Sequence, residues 1–234
     1  RYERHAFSVE EMGRLLATAE DGRKHHGMTG ADRALLYRTA VEPGFRWSEL
    51  RSLKRGSFDF DPSPASVTNE AASAQNEKED TISLRPELAA DLKARIGLFA
   101  PSERAFPGMW KERGADMIRK DLESAGILLR DGDGKLVTVD EYGLEYDFHC
   151  LRATFATLLN KARVPLATAQ RLMRHSDPKL TANTYTHVML DDKAEALAKL
   201  PSIAAQRPTV DDGQKENAGQ NSDESPASEG VKIV

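Results

Sequence analysis

Apolar residues recur at helical spacing along the first forty residues of the chain. SVEEMGRLLATAE opens with Ser8 and Glu11, a pair three residues apart that is typical of a helical capping box. ADRALLYRTAV continues the helical pattern until Pro43 and Gly44 stop it. We therefore predict two helices here, followed by a short third helix, ELRSL, with Ser48 as its N-cap.

Between Arg55 and Leu84 the pattern changes to short runs, SFDF, ASVTNEAAS and DTISL, separated by polar or proline-containing breaks. Such runs predict a small antiparallel sheet. Helical periodicity returns in PELAADLKARIGLF, ERGADMIRKDLESAG, DFHCLRATFATLLNKA, PLATAQRLMRH, TANTYTHVML and DKAEALAKL. The predicted fold class is therefore mainly α with a small three-stranded antiparallel sheet.

Two further features of the pattern concern the last third of the chain. The helix that begins near Asp147 carries an apolar stripe of Leu151, Phe155, Leu158 and Ala162, which predicts its buried face. Beyond about residue 205 large apolar residues almost disappear, and Gly, Ser, Asn, Asp and Glu dominate. We therefore predict one domain over residues 1–205 and a disordered acidic tail over residues 206–234.

Composition adds little to this picture. Apolar residues make up 39% and charged residues 30% of the 234 residues, an ordinary balance for a globular protein. No apolar run approaches the roughly 20 residues that cross a bilayer, so no membrane partner is expected. The single cysteine, Cys150, excludes an intrachain disulfide and favours a cytoplasmic location. Because the first residue is Arg1 rather than methionine, we expect the chain to be a piece of a longer protein.

The net charge of −4 at first argues against nucleic acid as a partner. Residues 207–234, however, hold six acidic and three basic residues, which leaves 31 acidic and 30 basic residues in the body. A nearly neutral body has room for a basic face that binds phosphate groups. Composition therefore leaves the question of nucleic acid open.

The candidate chemistry lies in four short stretches. They are Arg46 in PGFRWSEL, His149 and Arg152 in HCLRATFATLL, His175 in LMRHSDPK, and Tyr185 ten residues later. Each has a common explanation by itself: a solvated arginine, a histidine at a helix end, a half-buried tyrosine. Together they are what phosphodiester chemistry with a tyrosine nucleophile requires. Guanidinium groups bind the negative oxygens of a pentacoordinate phosphorus, and a histidine assists a phenol whose free pKa is about 10. Since the arginines supply positive charge, no metal or other cofactor is expected.

These stretches, in this order, resemble the catalytic domain of the tyrosine recombinases, the phage integrase family, over about residues 8–200. The resemblance implies a mostly helical domain that cleaves and rejoins duplex DNA in site-specific recombination or DNA integration, without ATP or metal. It implies that Arg46 and Arg152 hold the scissile phosphate and that His149 acts in proton transfer. It further implies that His175 bonds the phosphate and that Tyr185 attacks to form a 3′-phosphotyrosine link.

Two departures from the family pattern concern the site. The family usually has a lysine on the turn between the second and third strands, which protonates the leaving 5′-oxygen. Gln75 occupies the expected place and cannot act as an acid, so it is assigned to DNA contact, while Lys78 on the same turn is the candidate acid. Arg174 stands where many members have glycine before the histidine, and it is a further candidate phosphate contact.

The resemblance also implies the partners. The expected partner is double-stranded DNA, bound by a homotetramer on two DNA sites in the bacterial nucleoid, with this fragment weakly associated or monomeric. Phage, transposon and chromosome-resolution origins all stay open. The candidate backbone contacts are basic residues outside the four stretches: Arg51, Lys54, Arg55, Lys111, Arg113, Arg119, Lys120 and Arg171.

Three alternatives also stay open. The first is a DNA-binding module that keeps this fold and has lost activity with its lysine. The second is a type IB topoisomerase that relaxes DNA without a specific site. The third is a helical scaffold or metal-binding protein that uses His149, Cys150 and His175, for which the ligand spacing is poor.

Overall fold

The computed structural model describes residues 4–69, 80–175 and 179. All of them belong to the first of two compact units, Arg1–Lys193. The second unit, Ala194–Val234, lies outside the described residues, as does the predicted acidic tail. The predicted domain boundary near residue 205 therefore stays a prediction.

Seven helices and one sheet make up the described part of the chain. The helices are α1 (Val9–Glu20), α2 (Gly30–Val41), α3 (Trp47–Ser52), α4 (Pro86–Ile96), α5 (Trp110–Ser124), α6 (Cys150–Lys161) and α7 (Leu166–Leu172). The strands are β1 (Phe58–Asp59), β2 (Ser66–Asn69) and β3 (Asp80–Ser83), and a single 3-10 turn covers Arg55–Ser57. The predicted fold class, mainly α with a three-stranded antiparallel sheet, is confirmed.

Side chains cap the first turns of α1 and α2, whereas the cap of α3 differs from the prediction. The capping box of α1 is present, since Glu11 N–H donates to Ser8 Oγ at 3.1 Å and Ser8 N–H donates to Glu11 Oε2 at 2.7 Å. Thr29 caps α2 in a similar way through Asp32 N–H. The predicted Ser48 cap is wrong: α3 begins at Trp47, two residues before the predicted start at Glu49, and its N-cap is Arg46.

The sheet is a simple meander in the order β1-β2-β3. Phe58 pairs with Val67, and Val67 pairs with Ile82 on the other side. Phe58 and Val67 are buried, which places one face of the sheet on the main core. The segment between β2 and β3 includes Gln75 and Lys78, and both lie outside the described residues.

The core has a large part and a small part. The large part joins α1, α2, α4 and α5 around Leu15, Leu36 and Trp110, none of which is exposed. The small part lies between α6 and α7 and consists of Ala156, Leu159, Ala169 and Met173, with Phe155 and Val164 packed against it. This small cluster fixes the carboxyl end of α7 beside α6, which is where the candidate chemistry lies.

The apolar stripe predicted for α6 is only partly right. Leu151 is fully buried, but Phe155 and Leu158 are half-buried and Ala162 is exposed. The buried face includes the polar residues Arg152, Thr154 and Asn160. The helix has turned part of its polar surface inward because those side chains find partners there, as Arg152 does with two carbonyl groups.

A buried ionic network holds α2 against α5. Asp121 accepts hydrogen bonds from Arg33 Nε at 2.8 Å, from Tyr37 Oη at 2.7 Å and from His25 Nε2 at 2.9 Å. Arg33 is completely buried, and its charge is balanced by Asp121. Since the second helix ends at the turn that leads to Arg46, this network helps to fix one side of the candidate site.

Candidate catalytic site

The turn Pro43–Arg46 forms the first wall of the site. Gly44 has a φ of +65°, a conformation that glycine adopts without strain. A Cβ atom at this position would lie 2.1 Å from Cδ1 of Phe155, so the backbone packs directly on α6. The turn is closed by a hydrogen bond of 3.0 Å from Phe45 N–H to the carbonyl of Ala40. The turn therefore places Arg46 at the start of α3, next to α6.

Arg46 is held by an acid one helical turn away. Glu49 accepts from the backbone N–H of Arg46 and from its Nη1, both at 2.8 Å. The other terminal nitrogen, Nη2, donates to the carbonyl of Arg174 at 2.9 Å. The guanidinium group is thus tied both to its own helix and to the residue before His175.

Arg152 is the most buried of the candidate arginines, with 8% of its surface exposed. Its guanidinium donates to the carbonyl of Gly44 and to that of Met173, so it joins the turn to the end of α7. Burial, and the positive charges of Arg46 and Arg174, lower its pKa to about 9, and Glu49 opposes this only in part. The site therefore carries uncompensated positive charge, which an anion would stabilise.

Arg174 completes a group of three guanidinium side chains. It has a φ of +52°, which accounts for the glycine that the family pattern has at this place. Its side chain donates to the carbonyls of Pro43 and Gly44, at 3.1 and 2.8 Å, and to Glu49 Oε2 at 2.9 Å. The guanidinium also lies 5.2 Å from the ring centre of Phe45. Its buried Nε has no hydrogen-bond partner among the described residues.

Glu49 is the acid between these arginines, and sequence reasoning missed it. It is 1% exposed. Burial alone would raise its pKa, but the charge of Arg174 and the hydrogen bonds from Arg46 and Arg174 outweigh burial and lower the pKa. The sequence did contain a signal for Glu49. It is an acid three residues after Arg46, at the third position of a helix, where a carboxylate accepts a hydrogen bond from the N-cap amide.

The two histidines flank this group. His149 is the N-cap of α6, one helical turn before Arg152, and 55% of its side chain is exposed. Partial burial lowers its pKa, Asp147 acts in the opposite direction, and Arg4 and Arg152 lower it further. His175 directly follows Arg174 and is half-buried, and its backbone N–H donates to the carbonyl of Gln170 at 3.1 Å.

The structure thus brings Arg46, Arg152 and Arg174 together, with His149 and His175 adjoining them in the chain. Tyr185, Lys78 and Gln75 lie outside the described residues, so their predicted places stay predictions. In the described part of the chain, no group of three histidine, cysteine or acidic side chains is placed to hold a metal ion. The thiol of Cys150 instead donates to the carbonyl of Glu145 at 3.1 Å.

The candidate DNA-backbone contacts fall into two groups. The exposed ones are Arg51, Lys54, Arg113, Lys120 and Arg171. Three others, Arg55, Lys111 and Arg119, are half-buried. Arg119 Nε donates to the carbonyl of Tyr146 at 2.8 Å, and Arg55 donates to the carbonyls of Gly97 and Phe58 at 3.3 and 3.0 Å. Arg55 and Arg119 therefore already have structural roles, while the exposed group is available to a large ligand.

Comparison with known proteins agrees with the family resemblance of the sequence. The sequence model of the phage integrase family matches residues 6–191. A "Tyrosine recombinase XerC-like" protein of Caldanaerobacter subterraneus subsp. tengcongensis is 26% identical, over 84% of this chain and 54% of its own length. "Tyrosine recombinase XerA" of Saccharolobus solfataricus is 40% identical over a shorter stretch, 28% of this chain and 23% of its own length. The chain thus spans about half the length of the XerC-like relative.

Solved structures share the fold. The catalytic domain of bacteriophage HP1 integrase superposes with a TM-score of 0.57 at 20% identity, over 87% of this chain and 98% of that domain. The Tn1549 transposon integrase in complex with transposon right end DNA gives 0.62 at 14% identity, over 83% of this chain and 65% of that one. No helix in the described residues is long and apolar enough to cross a membrane.

Proposed function

Because the chain belongs to the phage integrase family, we propose that it cleaves and rejoins strands of double-stranded DNA as a site-specific tyrosine recombinase. The observation that carries this proposal is the group of three arginines around one acid. Arg46, Arg152 and Arg174 all bond to the short segments 43–49 and 172–174, and they leave net positive charge in one place. A phosphodiester is the anion that such a group suits, since planar guanidinium forks match phosphate oxygens.

In this proposal the arginines stabilise the transition state. Arg46 and Arg152 hold the non-bridging oxygens of the scissile phosphate, whose negative charge grows as the phosphorus becomes pentacoordinate. A fixed donor of this kind typically contributes about 3–4 kcal/mol. Arg152 is already placed by two carbonyl groups, so little reorganisation accompanies the reaction. The arginines thereby supply the positive charge that the phosphoryl transfer needs.

Tyr185 is the proposed nucleophile. A bond forms between its phenolic oxygen and phosphorus, the bond from phosphorus to the 5′-oxygen breaks, and a 3′-phosphotyrosine remains. His149 accepts or relays the phenolic proton, while His175 bonds the phosphate. The leaving 5′-oxygen takes up a proton, for which Lys78 is the proposed donor. Attack by a 5′-hydroxyl from a partner strand reverses these changes and rejoins the DNA.

A covalent trap tests the proposal. Selection of bound duplexes from a random DNA library with the full-length protein supplies a target site, and that duplex is then nicked close to the cleavage position. We expect a protein–DNA adduct on a denaturing gel. Tyr185→Phe should abolish it, while Tyr142→Phe, a change at an exposed tyrosine in the turn before α6, should not. The absence of an adduct in the unchanged protein, on DNA that it demonstrably binds, would refute the proposal.

The DNA-binding module without activity is the second candidate, and one observation favours it: Gln75 stands in the place of the usual lysine. Such a module would bind the selected duplex and form no adduct. If Lys78 is the acid, Lys78→Ala should reduce adduct formation while Gln75→Ala does not. If Gln75→Lys increases the yield, the chain has lost its acid at that position. Assembly as a homotetramer on two DNA sites belongs to the same proposal and is tested by the mass of the complex in solution.

A further inference from the structure

The segment before α1 runs along the beginning of α6. His5 N–H donates to the carbonyl of Glu145 at 3.1 Å, and Phe7 N–H donates to Thr154 Oγ1 at 2.9 Å. Arg4 itself forms a backbone bridge with Glu145. Residues 4–7 are thus fixed at two places, one before the helix and one inside it. This fixes the direction in which the Arg4 side chain leaves the backbone.

Arg4 reaches the acid that precedes His149. Its Nε and Nη2 donate to Oδ2 of Asp147 at 3.0 and 2.9 Å. The other carboxylate oxygen, Oδ1, accepts the backbone N–H of His149 at 2.8 Å and lies 4.0 Å from His149 Nδ1. Only 15% of the Asp147 side chain is exposed. One carboxylate therefore connects the segment before α1 to the proposed proton-transfer residue.

We propose that Asp147 is a positioning residue for His149. Arg4 weakens the effect of the Asp147 charge on the His149 ring. Asp147 fixes the backbone of His149 and holds a negative charge near its ring. Arg4 occupies the other oxygen and offsets part of that charge. The inference rests on the proposed function, because it assigns His149 a part in proton transfer.

The charges around His149 determine the direction in which each substitution should shift its pKa. Among the described residues, three charged groups act on the pKa of His149: Asp147, which stabilises the imidazolium, and Arg4 and Arg152, which destabilise it. Since Arg152 belongs to the phosphate site, Asp147 and Arg4 are the two groups that adjust the histidine without touching the phosphate. Arg4 lies two residues before residue 6, where the match to the family model begins.

The test measures the pKa of His149 directly, in the purified chain without DNA. The chain has six histidines, and the imidazole signals of an NMR titration are assigned to His149 by their loss in His149→Gln. Asp147→Asn keeps an oxygen that accepts the His149 amide and removes the charge, so we expect the pKa of His149 to fall. Arg4→Gln should raise it. Arg4→Lys, which keeps the charge, should lie close to the unchanged chain.

A control and a combined variant complete the design. Asp59→Asn, at an exposed position in β1, should leave the His149 titration unchanged. In the double variant Arg4→Gln with Asp147→Asn, the effect of Arg4→Gln should be smaller than in the single variant, because its partner carboxylate is gone. Unchanged signals from His25 and His26, which lie in the network around Asp121, show that each variant is folded.

Two results would overturn the inference. One is a His149 pKa that Asp147→Asn leaves unchanged while the other histidine signals also stay in place. The other is a shift in the same direction for Arg4→Gln and Asp147→Asn. Because no DNA is used, this test can refute the inference without bearing on the recombinase proposal. Opposite shifts without any covalent adduct would refute only the proposed function.

Discussion

Replacing Gly44 with alanine should destabilise the domain far more than a surface substitution. Gly44 lies in the turn before Arg46 with a φ of +65°, which an alanine adopts only with strain. The added Cβ would also lie 2.1 Å from Phe155 Cδ1 and 2.6 Å from its Cε1, well inside van der Waals contact. Two separate costs therefore act on the same variant.

The size of the effect follows from these two costs. The left-handed backbone costs an alanine roughly 1–2 kcal/mol. Forcing an extra methyl group against the half-buried ring of Phe155 costs about 1–3 kcal/mol. We therefore expect the free energy of unfolding to fall by about 2–5 kcal/mol. The carbonyl of Gly44 accepts from Arg152 and Arg174, so any movement of the turn also disturbs the arginine group.

Guanidinium denaturation followed by circular dichroism measures this loss. Gly134→Ala is the matched control for strain alone, because Gly134 has a φ of +77° and nothing within 4 Å of an added Cβ. We expect it to lose roughly 1–2 kcal/mol. Gly13→Ala, in the interior of α1 with open space around the added Cβ, should instead gain roughly 0.5–1 kcal/mol.

A double-mutant cycle isolates the contact with Phe155. Phe155→Leu removes the edge of the ring, so Gly44→Ala should cost less in that background, with a coupling of about 1–3 kcal/mol. The reasoning is refuted if Gly44→Ala is no more damaging than Gly134→Ala. It is equally refuted if Phe155→Leu leaves the cost of Gly44→Ala unchanged.

Two further predictions concern Glu49 and Cys150. Glu49→Gln leaves Arg46 and Arg174 without their shared acid and should cost about 3–5 kcal/mol near neutral pH. Because the pKa of Glu49 is lower in the folded chain than in the unfolded one, its contribution is present above the unfolded pKa and is lost as pH falls through the folded pKa. Denaturation at several pH values should show the variant and the unchanged chain converging in acid, and a constant difference would contradict this. Burial raises the pKa of the Cys150 thiol to about 12. Iodoacetamide should therefore label the native chain much more slowly than the denatured chain, and mass spectrometry measures both rates. Equal rates would contradict a buried thiol.

Local patterns predicted the elements that depend on neighbouring residues. The capping box of Ser8 and Glu11 is present as expected, and the three short runs between Arg55 and Leu84 form the predicted sheet. Both depend on spacing within a few residues and on where apolar side chains alternate. The mistaken cap at Ser48 shows the limit of such patterns: the Glu49 carboxylate accepts the Arg46 amide, and α3 starts two residues earlier than predicted.

The order of Arg46, His149, Arg152, His175 and Tyr185 could be recognised from the sequence because each stretch is itself a local pattern. The connections among them could not. Arg152 bonds the carbonyls of Gly44 and Met173, which are 108 and 21 residues away.

Sequence alone therefore determined the helices and the sheet of the described residues, apart from the start of α3, and the types of chemical group available in this chain. Only the packing of α2, α6 and α7 decided that Arg46 and Arg174 share one acid beside Arg152, and that part of the polar surface of α6 turns inward. The physical reason is that the acceptors in this site are largely backbone carbonyl groups. Every residue carries such a group, so no side-chain pattern reveals which of them will face an arginine until the chain has folded.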